Sequence, residues 1–108
     1  MRKRALDLLK GTADRRVKAA TWDAYGYAHH QLGQHQQATD CYRQTLELYR
    51  HLGERFGEAE TLTRLGDSHH AADETAAARD TWQRALAILD DLGHPDAVQV
   101  RTTLNTLT

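Results

Sequence analysis

The chain has 108 residues, 40% of them apolar and 27% charged, with one proline and seven glycines. That length gives one domain, too apolar for disorder and large enough for a core with ~5–15 kcal/mol of net stability. A lone cysteine, Cys41, excludes an internal disulfide, and no apolar run reaches the ~18 residues that span a bilayer or resembles a signal-peptide core. These features point to a reducing, cytoplasmic setting with no membrane partner.

Arg2 to Lys10 carries Ala5, Leu6, Leu8 and Leu9 at helical spacing, and Gly11-Thr12 is expected to stop it. From about Asp14 to Leu32 a second helix carries Val17, Ala20, Ala24, Tyr25, Ala28 and Leu32 as its inward set. Gly33-Gln34 breaks it. A third helix runs from about Gln36 to Leu52, with Ala38, Tyr42, Thr45, Leu46 and Tyr49 inward, and Gly53 supplies a left-handed stop.

The fourth, from about Glu54 to Ala72, holds Phe56, Ala59, Leu62, Leu65 and Gly66. Asp73 takes the turn position, where Asp tolerates a left-handed backbone better than most residues. Thr75 is expected to cap a fifth helix reaching about Leu92 through Ala78, Trp82, Ala85, Leu86 and Leu89. After Gly93, His94-Pro95-Asp96 opens a last helix with Val98, Val100 and Leu104 or Leu107 inward. The expectation is all-α, about six helices in an antiparallel zigzag.

The chain also repeats itself at 40 residues. Gly26 lands on Gly66, His29-His30 on His69-His70, Ala38 on Ala78, Leu46 on Leu86 and Leu52-Gly53 on Leu92-Gly93. A fixed period of this size marks stacked helical hairpins, each covering its neighbour's apolar face. The divisions are a tail helix of a preceding partial unit at 1–12, one unit at 13–53, a second at 54–93 and a capping helix at 94–108. Leu6 and Leu8 share the register of Leu46 and Leu48, and of Leu86 and Ile88, so the opening helix reads as the tail of an earlier unit, in a piece of something longer.

Within the units the motif is Trp22-x2-Tyr25-Gly26-x2-His29 with Ala38-x3-Tyr42, then Leu62-x2-Leu65-Gly66-x2-His69 with Ala78-x3-Trp82-x2-Ala85. This order resembles the tetratricopeptide repeat over about residues 14–104, and the resemblance implies a right-handed α-solenoid that binds proteins or peptides. Gly26, Ala38, Gly66 and Ala78 would leave room where paired helices cross, Tyr42 and Trp82 would fill the gap toward the next helix, and Trp22 belongs to the same motif. His29 and His69 stand where the family usually has Tyr, Tyr25 stands for Leu, and Arg50 and Asp90 replace the terminal Pro. A narrower resemblance lies in Leu65–Ala72, Ala78–Leu89 and Leu92–Ala97, which are similar to the C-terminal repeats of actinobacterial AfsR/SARP-type transcriptional regulators. That resemblance implies a sensing or assembly arm, without the DNA-binding element or phosphate loop of those proteins.

Carrying over the family's inner face gives a partner groove of Ala20, Asp23, Tyr27 and His30 with Glu60, Thr63, Asp67 and His70. Such acidic and aromatic residues suit a basic or amphipathic peptide; a solvated face without a ligand accounts for them equally. Adjacent histidines point about 100° apart on a helix, so neither His29-His30 nor His69-His70 chelates a metal, although His30 and His70 could meet across neighbouring helices. Asp90-Asp91-Leu92-Gly93-His94-Pro95-Asp96 reads as helix termination and restart, and Cys41 as a partly buried, unreactive thiol. No catalytic, cofactor or metal residue is expected. The chain reads as an interaction module, part of a transcriptional regulator or a stand-alone scaffold, and self-association through an end or the groove is expected.

Charge is uneven: residues 1–18 hold seven Lys/Arg against two Asp, and residues 19–108 hold seven Arg against thirteen Asp/Glu. The repeats themselves are therefore acidic, which disfavours a nucleic-acid groove along them. The rival reading is nucleic-acid contact through Arg2, Lys3, Arg4, Lys10, Arg15, Arg16 and Lys18.

Overall fold

The computed structural model describes residues 2–107, with side chains from Lys10 to Leu107. Five helices follow one another: α1 (Arg2–Gln31), α2 (His35–Leu52), α3 (Arg55–Ala71), α4 (Thr75–Asp91) and α5 (Asp96–Thr106). No strand occurs among the described residues. The molecule extends 56 × 32 × 17 Å, longer than the ~45 Å of its 30-residue first helix.

Turns recur every 20 residues. Gly33, Gly53, Asp73 and Gly93 each adopt positive φ, at 75°, 70°, 62° and 63°. The next residue then donates its N–H to the carbonyl five positions back: Gln34 to His29 at 2.8 Å, Glu54 to Tyr49 at 3.0 Å, Glu74 to His69 at 2.8 Å and His94 to Leu89 at 2.9 Å. This closure satisfies helix-end carbonyls and reverses the chain. Two of the turns carry a side-chain clasp as well. His29 Nδ1 lies 2.6 Å from Gln34 Oε1, and His69 Nδ1 lies 3.1 Å from Glu74 Oε1. The histidines at the family's tyrosine position thus hold the turn closed.

The core forms where α3 meets the helices on either side of it. Leu62 and Leu65 of α3 pack with Ala38, Tyr42 and Leu46 of α2 and Ala85 of α4. A second cluster joins Ala59, Ala78, Trp82 and Leu89 to Ala97 and Val100 of α5. Each fully buried Leu contributes ~1.5–3 kcal/mol by leaving water. Buried threonines cost little, because Thr45, Thr61 and Thr81 donate to the carbonyls of Cys41, Gly57 and Ala77 one turn back.

Several sequence expectations need correction, among them Val98 of α5, which is exposed where it was expected inward. Residues 2–31 form one helix, without a stop at Gly11-Thr12, so five helices are described, close to the expected number of about six. Gly11 lacks positive φ, and a mid-helix glycine costs only ~1 kcal/mol, which strong helix formers on either side offset. Thr75 is the first residue of α4, not its cap; Glu74 precedes it without a side-chain cap bond. The inward face of α1 is also different. Val17, Ala20, Ala24, Tyr25, Ala28 and Leu32 are all exposed, whereas Ala19 and Gly26 are buried and Asp23 and His30 half-buried. The side chains of Ala5, Leu6, Leu8 and Leu9, and Thr108, lie outside the described residues.

Candidate functional site

Glycines set how closely the hairpins close. A Cβ at Gly26 would come within 2.6 Å of the Tyr42 ring, and one at Gly66 would collide with the indole of Trp82. The rings therefore rest on bare backbone of the neighbouring helix, with Ala38 and Ala78 fully buried beside them. Trp82 Nε1 donates to Thr63 O at 3.0 Å, satisfying its only polar atom. Burial, with Asp23 second, pushes the Tyr42 phenol up to about 12, so it stays a neutral packing group.

With Trp82 so placed, α3, α4 and α5 enclose a groove of about 470 Å³. Phe56, Trp82, Leu89 and Val100 supply its apolar lining; Glu60, Asp67, Asp96, Thr63, Gln99, Thr103 and Arg64 supply its polar lining. Three carboxylates face one cation, and Arg64 is already engaged. Its guanidinium bonds Asp23 of α1 and lies 3.8 Å from Glu60. Asp67 is exposed as a whole residue, yet the protein around it pushes its carboxyl above the usual range through desolvation; Trp82, His30, His70 and Arg64 pull the other way. The groove is therefore net acidic over an aromatic floor.

Of the expected groove residues, Glu60, Thr63 and Asp67 line this space, and Ala20, Asp23, Tyr27, His30 and His70 do not. Asp23 is occupied by Arg64, and His30 lies 3.0 Å from Ser68 Oγ across the α1–α3 seam. Ala20 and Tyr27 are exposed on α1. His70 packs its ring 5.6 Å from Trp82, and His30 has His35 at 5.6 Å. Sequence reasoning missed the α5 wall and Phe56, which is exposed and stacks 4.5 Å from His94. The signal was present: Asp96, Val100 and Thr103 share the 40-residue register of Phe56, Glu60 and Thr63.

A second, smaller cavity of about 350 Å³ lies between α1 and α2, bordered by Trp22, Leu48, Arg15, Lys18 and His51. Trp22 is 38% exposed there. Cys41 is buried, and burial, then Asp40, pushes its thiol up, which disfavours a nucleophilic thiolate. No three His, Cys, Asp or Glu side chains among the described residues converge as a metal site would need, and no helix there is long and apolar enough to cross a membrane.

No curated protein matches the sequence. The family pattern described as tetratricopeptide repeat matches residues 17–91, the stretch running from the second half of α1 to the end of α4. With its paired helices, its glycine–aromatic crossings and that match, the chain belongs to the tetratricopeptide repeat family.

Proposed function

We propose that this chain is a protein-recognition module whose groove over α3 and α5 takes a basic amphipathic peptide or helix. The observation that carries this reading is the groove's composition: an apolar floor of Phe56, Trp82 and Val100 beneath Glu60, Asp67 and Asp96, with Arg64 held by Asp23. A helix with one apolar and one cationic face would bury the first and neutralise the second. The module needs no cofactor and performs no chemistry. Substituting Asp67→Lys together with Asp96→Lys reverses the charge of the rim and leaves every apolar lining side chain in the sequence. Affinity for a labelled Lys/Leu amphipathic peptide should then fall about tenfold or more, with the melting curve retained. Unchanged affinity would remove the groove from consideration.

The likeness of Leu65–Ala72, Ala78–Leu89 and Leu92–Ala97 to the repeats of AfsR/SARP-type regulators supports a finer reading. In it the chain is a cytoplasmic sensing or assembly arm of a transcriptional regulator. Its contribution there is differential binding: a peptide, a sister subunit or another domain in the groove favours one assembly state over another. Titrating the chain with the separate DNA-binding and nucleotide-switch domains of such a regulator tests this, and an absence of binding to either would set it aside. Direct nucleic-acid contact has less support, since Arg16 of the basic stretch is bonded to Glu54 of the chain itself.

A further inference from the structure

The 40-residue register shows which surface of α1 is uncovered and what chemistry would cover it. On α3, Thr61, Leu62 and Leu65 are 1%, 0% and 4% exposed, because the preceding hairpin lies against them. Their counterparts on α1 are Thr21, Trp22 and Tyr25. Thr21 is exposed, and Trp22 and Tyr25 are 38% and 57% exposed, with Val17 in the same stripe at 65%. The α2–α3 step uses two defining contacts. Tyr49 fills the space above Gly57, where a Cβ would come within 2.9 Å of its ring, and Arg50 Nε donates to Glu58 at 3.0 Å.

Translated by one register, Gly57 becomes Val17 and Glu58 becomes Lys18. A helix that covers α1 must then carry a side chain smaller than Tyr at the first position and an acid at the second. Residues 2–10 do not qualify: they continue α1 without folding back, and Lys10, which holds the Arg50 register, would meet Lys18 with like charge. Helix α4 qualifies on both counts, with Leu89 in the Tyr49 register and Asp90 in the Arg50 register. A leucine over valine sets a smaller side chain above a larger one, where the α2–α3 step sets a tyrosine above a glycine. The sign of the ion pair is reversed but complementary.

Within one molecule that face of α4 is already occupied. Helix α5 seats Ala97 and Val100 against Leu89 and Trp82, and Arg101 donates to both Asp90 oxygens at 2.8 and 2.9 Å. It is the shortest helix, and Ala97 and Val100 are its buried residues. We propose that α5 is a detachable self-cap, and that α1 of a second copy takes its seat on α4, with Lys18 replacing Arg101 at Asp90. The contact is head-to-tail, so it propagates into open chains of copies. Because α5 is also one wall of the groove, a filled groove opposes its release. The assembly itself does not depend on any groove ligand.

Sedimentation velocity on the full chain, without peptide, tests this. Wild type should show mass rising with concentration, and Arg101→Glu, which repels α5 from Asp90, should shift the rise to about tenfold lower concentration. Adding Lys18→Glu to Arg101→Glu should restore the monomer, whereas Lys18→Arg should not. Mixing Lys18→Glu chains with Asp90→Lys chains should assemble where neither does alone. Wild type and Arg101→Glu both remaining monomeric would overturn the proposal, as would association indifferent to Lys18→Glu. Asp67→Lys, which tests the groove, should leave assembly intact, so the two readings fail separately.

Discussion

The indole of Trp82 occupies the space that a side chain at Gly66 would need, while its Nε1–H is bonded to Thr63 O on the same helix. One residue thus fixes both the distance and the register between α3 and α4. Substituting Gly66→Ala drives a methyl group into a ring with nowhere to move, since Trp82 is buried. The expected loss is ~1–3 kcal/mol, measurable as a lower urea midpoint with an unchanged slope. Gly26→Ala should behave similarly against Tyr42.

Gly11 predicts the opposite sign. It lies inside α1 with nothing within 4 Å of a Cβ built there. Gly11→Ala should therefore stabilise the protein by roughly 0.5–1 kcal/mol, through lower unfolded-state entropy and better helix propensity. A destabilisation on thermal melting would mean that the helix breaks at this point.

The two tryptophans should separate clearly. Trp82→Ala opens a cavity in the core and should cost ~3–5 kcal/mol. Trp22 is partly exposed in its cavity with Leu48, so Trp22→Ala should cost roughly 1–2 kcal/mol, in line with the smaller apolar area it buries. Chemical denaturation of the two variants gives the comparison directly. Equal losses would indicate that Trp22 is covered in solution.

These cases show how far the sequence could be read. The turns at Gly33, Gly53, Asp73 and Gly93 and the room left by Gly26, Ala38, Gly66 and Ala78 at the helix crossings were legible, because each depends on local backbone need or on residue size at a fixed spacing; that the rings of Tyr42 and Trp82 rest on the glycines of the preceding helix was not. The burial of α1 was not. Val17, Ala24, Ala28 and Leu32 form a regular apolar stripe, but periodicity reports only that a face is apolar, not that a neighbour is present to cover it. The face α1 buries instead consists of Ala19 and Gly26 with the polar Asp23 and His30, whose signal is an ion pair to Arg64 and a contact with Ser68, 41 and 38 residues away. The groove was half legible: Glu60, Thr63 and Asp67 carried over from the family, while its α5 wall required extending the register one step further.

Asp67 links stability to recognition. Desolvation raises its carboxyl above the ordinary range, so the folded state disfavours its charged form. The sign follows from linkage: the penalty is fully present above the raised value, and it is relieved as pH falls through that value. Asp67→Asn should therefore raise the melting temperature at neutral pH and lose this advantage in acid. It should also weaken binding of a basic peptide, a trade between stability and function. In the wild type, peptide affinity should begin to fall at a pH above the usual carboxylate range, which fluorescence anisotropy across pH 7 to 4 would detect.

The most direct test of the account is a ¹⁵N–¹H NMR titration of the full chain with a Lys/Leu amphipathic peptide. The largest amide shifts should fall on Glu60, Thr63, Asp67, Asp96 and Gln99, with the indole N–H of Trp82 moving alongside them. Shifts confined to the Arg15, Lys18 and Trp22 side of α1, or no shifts at saturating peptide, would contradict recognition by the acidic groove.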